Sequence, residues 1–353
     1  MGTAAARALA RRGRRTALVE QFRIGHDRGR SHGASRIFRF AYHHPDYVRM
    51  AGLARDLWRV LEGETGEALL HTTGGLDAGP GARVAAEALG AAGVPFEWLR
   101  GEEAMERWPG LRFDAGAEVL FQPDAGVVSA DRAVLAMARA ARQAGAAVWE
   151  GTPVTALAPA GTGVEVLTPE GPLRADVAVV AAGAWAGKLL ASAGLLLPLE
   201  VTLEQVAYFE QEKASALPTL IDWHSEQRAG YAVPDPARPG SLKLGDHMTG
   251  PVVDPDSRTF DPDPDGLRRV HEWAAHRFAG LRPTGAETCL YATTPDEDFV
   301  LDRIGAVVIG SACSGHGFKF APLVGEWLAA LATGDPPPLP VERFRASRPS
   351  LTK

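Results

Sequence analysis

Cysteine is nearly absent from this 353-residue chain, which has only Cys289 and Cys313. Two thiols cannot build a disulfide scaffold, so a reducing compartment is the simpler setting. An excess of positive charge is missing too. The formal net charge is -6, and no basic face points to a nucleic-acid partner. No apolar run is long enough to cross a bilayer, because Leu189 to Leu199 is broken by Ser192, Gly194 and Pro198. The Arg-rich start lacks the apolar stretch of a secretory signal. A cytoplasmic protein without membrane association is therefore expected. The ten histidines show no ligand-like spacing with acids or cysteines, so no metal site is expected. Internal repeats are absent, and so is an activated serine or thiol motif. What remains is an ordinary globular composition, 46% hydrophobic and 23% charged. The length is too great for one ordinary core and suggests two domains.

The first residues carry a partial motif. Met1 to Gly13 reads as a helix with Gly13 at its C-cap, and Arg14 to Glu20 reads as a strand ending in an acid. Helix, turn, strand and carboxylate form the second half of a dinucleotide-binding βαβ unit. The spacing fits if Gly2 is the third glycine of G-x-G-x-x-G and Glu20 the ribose-binding acid. The first strand and first two glycines are not seen, so the chain is expected to begin inside the motif, as from a misassigned start codon. An ordinary amphipathic helix and edge strand would read the same; the rest of the chain favours the nucleotide reading.

Gly25 to Tyr42 begins as a glycine-rich basic loop. Arg36 and Arg39, three apart, would share a face on a helix or turn and suit an anion. Ile37, Phe38, Phe40 and Ala41 interleave with them, which argues for partial burial and an anionic partner. Tyr47 to Gly63 reads as an amphipathic helix with Trp58 in the core. Ser129 and Asp131 can cap a helix running to Ala144. Residues 147–150, 154–157 and 163–167 read as a β-meander. Ala175 to Ala182 reads as a strand buried on both faces, ending at a tight turn with Gly183 where backbone could approach a cofactor. A plain β-to-α turn would look the same. Beyond Leu199, Tyr231–Pro234 and Leu242–His247 read as antiparallel strands. Lys243 lies between two leucines and must point to the opposite face, toward solvent or a cavity.

The last third carries the densest signal. Val307, Val308 and Ile309 read as a buried strand, followed by a Gly/Ser/His loop and an apolar helix from Ala321 to Thr333. Such a loop presents backbone N–H groups to an anion or an electron-rich ring edge.

Four segments stand in order: Ser31-His32-Gly33-x-Ser35-Arg36-x-x-Arg39, Leu242-Lys243-Leu244-Gly245-x-His247, Cys289-x-Tyr291-x-x-Thr294-Pro295-Asp296-Glu297-x-Phe299, and Ser314-Gly315-His316-Gly317-Phe318-Lys319. Together they resemble the monomeric sarcosine oxidase / N-methyl-L-tryptophan oxidase family of FAD-dependent amine oxidases, over nearly the whole chain. The resemblance implies an α/β fold: a Rossmann-like FAD-binding domain interleaved with an α+β substrate domain on a mixed, largely antiparallel sheet. Residues 1–70, 145–200 and 295–353 would form the first, and 71–144 and 201–294 the second. It implies FAD joined to Cys289 by a thioether, with Cys313 as a minor rival and otherwise a small buried hydrophobe. Lys243 would promote oxygen reduction near flavin N5. Arg39 and Lys319 would bind the substrate carboxylate, and Tyr231, His247 and Tyr291 would line the substrate cavity. Gly2, Glu20, Ser31, His32, Ser35, Arg36, Val154, Gly183, Gly315, His316, Gly317 and Lys319 would contact the cofactor. The implied partners are an amino-acid-like amine carrying a carboxylate, and oxygen, acting on a monomer. His44 stands where the family often has an acid, which leaves the exact amine open. Alternatives are a dehydrogenase using another acceptor and a non-catalytic relic that only binds ligand.

Overall fold

Alternation in the strand Ser241–Asp246 sets the plan of the molecule. In the computed structural model, which describes residues 1–212, 216–225, 228–340 and 342–351, this strand lies inside an eight-stranded sheet. Side chains alternate across a strand, so Leu242 and Leu244 share one face and Lys243 and Gly245 the other. The leucine face is a hydrophobic core shared with Leu76, Ala207, Phe209, Leu220 and Ala232. The helix Pro264–Arg277 covers it through Val270 and Ala274. The other face looks into a cavity lined by Val206, Trp223, Tyr231, Lys243, Glu287, Cys289 and Tyr291. Register keeps these residues together. Lys243 stands opposite Tyr208 on one neighbour and Val233 on the other, and Thr202 stands opposite Tyr291. Neighbouring strands are antiparallel, except that Thr219–Trp223 runs parallel to Gly75–Ala78. The sheet is thus mixed and largely antiparallel, as expected.

The opposite wall of the cavity is an α/β layer. The helix Gly2–Arg11 leads through a turn into the strand Ala17–Glu20, as the nucleotide motif requires. That strand pairs in parallel with Ala147–Glu150. The expected meander is corrected here: Ala147–Glu150 follows a helix, Ala130–Gln143, and so returns parallel to the first strand. The antiparallel meander is instead Ala156–Ala160, Gly163–Thr168 and Gly171–Ala175. Period-2 alternation identifies strands but not the sheet each one joins. The apolar run at Ala175 to Ala182 is strand only over Ala178–Val180, paired in parallel with Val307–Ile309. It is not buried on both faces. Val180 is buried, while Val179 is half-buried and lines the cavity.

Arg36 and Arg39 do not share a helical face. Ser35–Phe38 is a strand paired with Gly126–Ser129, which sends the two arginines to different partners. Ser129 occupies the N-cap of the next helix, but its hydroxyl bonds His71 Nε2 at 3.1 Å rather than a helix N–H. Among the described residues, no helix is long and apolar enough to cross a membrane.

Two helices from opposite ends of the chain hold this layer together. Gly2–Arg11 lays Ala4 and Ala5 against Ala321–Thr333, and Trp58 is fully buried beside them, as expected. A Cβ on Gly325 would lie 2.6 Å from the Ala4 carbonyl carbon. Gly325→Ala would gain about 1 kcal/mol of helix propensity. Overpacking against rigid backbone costs about 1–3 kcal/mol and should win. Urea unfolding should show a lower midpoint for Gly325→Ala; an unchanged or higher midpoint would mean the helices separate without penalty.

Candidate active site

A single cavity of about 1980 Å³ runs from Gly2 and Glu20 to Lys319 and Trp223. That is well above the roughly 300–1,000 Å³ of an ordinary small-molecule pocket, so it has room for a dinucleotide and a substrate together.

At one end stands the helix Gly2–Arg11, with no acid in its first turn and no side-chain cap. Its first N–H groups are therefore open to an anion. Glu20 ends the neighbouring strand, where its carboxylate accepts the Phe22 N–H at 2.9 Å and lies 3.7 Å from His26 Nε2. Val154 and Gly183 line the same end.

In the middle, Arg36 donates to the carbonyls of Arg30, His32 and Ser35 and so braces the loop that carries Ser31 and His32. His32 is buried and its Nδ1 has no hydrogen-bond partner within the protein. Its Nε2 lies 3.8 Å from Glu287. Burial, then Arg36, lowers the His32 pKa to about 4. Lys243 is buried and donates from Nζ to the Ser35 carbonyl. Its pKa falls well below the ordinary value through burial, then Arg36 and Arg30, with Glu287 opposing. Arg30 donates to Cys289 Sγ at 3.1 Å and to the Gly315 carbonyl at 3.0 Å, and its guanidinium stands 3.7 Å over the Tyr291 ring. Cys313 is half-buried rather than buried, and its sulfur accepts the Ala292 N–H at 3.4 Å.

At the far end two cations converge. Lys319 is buried and donates to the Tyr42 hydroxyl and the His316 carbonyl, both at 2.7 Å. Its own carbonyl accepts the Trp58 indole N–H at 2.8 Å, which ties the turn to the core. Arg39 pairs with buried Asp77 at 2.9 Å. Burial pushes the Asp77 carboxyl up, and Arg39 pulls it back only in part. Lys319 is driven well below its ordinary pKa by burial, then by Arg39 and Arg30. The Gly315 turn, with φ +73, lines the same cavity. A Cβ there would lie 2.2 Å from Tyr291 and 2.5 Å from His247, so only glycine lets the turn pass those rings. His247 is held neutral, its pKa lowered to about 3 by burial, then Arg30, Arg39 and Lys319.

Every residue expected at the site lines this cavity except Ser35, which meets it through the carbonyl that receives Lys243. Sequence reasoning missed Asp77, Trp223, Glu287 and Arg30. Asp77 was legible only as an acid inside a strand, and Arg30 only as one arginine of a basic loop. The fit to FAD is good: an uncapped helix N-terminus, a glycine-only turn and an orphaned imidazole nitrogen line one long cavity.

The two histidines set a pH dependence. Each has a folded pKa below the ordinary value of 6.5, so the unfolded chain binds more protons as pH drops. Their contribution is neutral above about pH 6.5 and destabilising as pH falls toward 4. Melting of the apoprotein across that window should show a steeper loss for the wild type than for His247→Asn. Parallel curves would mean that His247 protonates freely in the folded state.

The DAO family, described as FAD dependent oxidoreductase, matches residues 1–331. Monomeric sarcosine oxidase of Bacillus sp. (strain NS-129) is 34% identical, over 100% of this chain and 95% of its own. Peroxisomal sarcosine oxidase of Mus musculus is 33% identical, over 96% of this chain and 91% of its own. Among solved structures, NikD, an unusual amino acid oxidase essential for nikkomycin biosynthesis, superposes with a TM-score of 0.87 at 27% identity, covering 97% of this chain and 94% of that one. With its cavity, its motifs and its full-length likeness in agreement, the chain belongs to the DAO family of FAD-dependent oxidoreductases.

Proposed function

We propose that the chain is a monomeric FAD-dependent oxidase of a secondary or N-methylated amino acid, of the sarcosine or N-methyltryptophan type. One observation carries this reading: Lys319 is a buried amine whose hydrogen-bond partners, Tyr42 and His316, are neutral oxygens, and burial with Arg39 beside it disfavours its protonated form while no anion is present. An anion entering beside Lys319 would favour the ammonium form and find its counter-charge there. The substrate carboxylate fills that place. Arg39 adds a planar fork of donors suited to it.

When bound, FAD supplies the two-electron acceptor for a hydride equivalent from the substrate and the route by which oxygen becomes hydrogen peroxide. The chain supplies the rest. Arg39 and Lys319 orient the amine by its carboxylate. Tyr231, His247 and Tyr291 line the space around it, and neutral His247 adds no repulsion toward a cationic amine. Lys243, on its own wall of the cavity, would gain its proton as negative charge develops on oxygen, and so stabilise that charge. The imine product hydrolyses in water to an aldehyde and an amine.

For the cofactor, Gly2 and its helix would face the pyrophosphate and Glu20 the ribose. Val154 and Gly183 would border the adenosine half. Ser31, His32, Ser35, Arg36 and the run Gly315, His316, Gly317 and Lys319 would flank the ring system. Cys289 would carry a thioether link to the cofactor. Residues 1–70, 145–200 and 295–353 form the FAD-binding part in this reading, and 71–144 and 201–294 the substrate part.

The purified protein should be yellow, and acid precipitation should leave the colour in the pellet. Cys289→Ala should move it to the supernatant. A yellow supernatant from the wild type would remove the thioether but leave the oxidase standing. Lys243→Met should slow reoxidation by oxygen about 100-fold, the size of losing one preorganised charge. Anaerobic reduction by sarcosine should change far less. Equal oxygen reactivity in the two proteins would assign the oxygen site elsewhere.

A further inference from the structure

Trp223 is restrained more tightly than core packing requires. Its indole N–H donates to Asp77 Oδ1 at 3.1 Å, the same oxygen that accepts Arg39 Nη1 at 2.9 Å. Its ring lies on Gly81, where a Cβ would come within 2.5 Å of the indole. The His43 ring sits 4.7 Å away, centroid to centroid. Trp223 is nevertheless only half-buried, and it lines the cavity that holds Lys319. A second ring is restrained in the same way: the Tyr42 hydroxyl is bound by Lys319 at 2.7 Å and by His316 at 3.1 Å. The Arg39 guanidinium lies 4.9 Å from the Tyr42 ring and 5.6 Å from the Trp223 ring. Two aromatic walls therefore stand beside this cation, and neither can retreat without breaking hydrogen bonds. A fixed wall discriminates by overlap, because a close-packed neighbour cannot yield by a rotamer change.

We infer that Trp223 sets the size limit of the substrate site at the α-carbon, so that a bulky aromatic substituent there is disfavoured. This rests on the reading that Arg39 and Lys319 hold the substrate carboxylate. The Trp223 ring lies 5.6 Å from the Arg39 guanidinium, so a carboxylate held by Arg39 would set the α-carbon bonded to it on the side of the indole. Asp77 is a positioning residue: one of its oxygens fixes both the cation and the wall, so the two keep their spacing. A flat carboxylate fits beside the rings, whereas an indolylmethyl substituent meets the Trp223 ring.

The test uses the FAD-loaded protein with two substrates, sarcosine and N-methyl-L-tryptophan, in the wild type, Trp223→Phe and Trp223→Ala. The wild type should favour sarcosine in kcat/KM. The ratio should move toward N-methyl-L-tryptophan in the order wild type, Phe, Ala, with a total change of about 10-fold or more, the discrimination a hydrophobic wall can supply. Titrating the flavin absorbance anaerobically with both substrates gives the same order as affinities, independent of turnover. A wild type that prefers N-methyl-L-tryptophan overturns the inference, as does a ratio that stays constant through the series. If Trp223→Ala loses its flavin, the Phe variant decides, since a smaller ring must already shift the ratio. Failure of both substrates to reduce a well-bound flavin in every variant would overturn the oxidase reading itself, and the size limit with it.

Discussion

Positive charge kept out of water governs this structure. Arg30, Arg36, Arg39, Lys243 and Lys319 all border one cavity. Of the acids near them, Asp77 is already committed to Arg39, and Glu287 lies by His32 and Tyr208. The cost appears in the lysines and the histidines, whose protonated forms are all disfavoured. A fold would not carry such repulsion for stability alone, because unpaired buried charge is strongly unfavourable. It is relieved when anions enter. In the proposed reading a dinucleotide would bring phosphates to the open helix end, and an amino acid would bring a carboxylate to the other. The cavity is thus shaped for its ligands electrostatically before any of their atoms are in contact.

The sheet makes this arrangement affordable by separating the charges from the core. One face of the eight-stranded sheet is apolar and closed by the helix Pro264–Arg277. The other presents Lys243, Glu287, Cys289 and Tyr291 to the cavity. Register does the sorting: a slip of a single residue would turn Lys243 into the core and Leu242 or Leu244 into the site. The long strand Leu281–Thr293, paired along its length with Glu200–Gln211, holds that register over many bonds.

Legibility in the sequence followed the range of the interactions involved. The Val307 strand, the Ala321 helix and the opening helix–strand pair were readable, because apolar runs and caps are local signals. Alternation correctly gave Lys243 the face opposite its leucines, but only the fold shows that a cavity lies there. The motifs pointed to side chains that border one cavity, Ser35 excepted. They did not show what each side chain bonds. Arg39 meets Asp77 across 38 residues and Arg30 meets Cys289 across 259, contacts that exist only once the sheets are assembled. The misplaced strand Ala147–Glu150 failed for the same reason, since pairing partners are not encoded in a strand's own residues.

The joining of the two ends of the chain also bears on how the protein is made. The opening helix rests on Ala321–Thr333, and Arg12 reaches the Glu326 carbonyl 314 residues away. A chain emerging from the ribosome presents that alanine-rich helix long before its partner, which lies 314 residues further on. The α/β layer, and with it the far wall of the cavity, cannot close until Ala321–Thr333 has been made. Cofactor capture therefore waits on that second helix, and the nascent chain must shelter an apolar helix face until then.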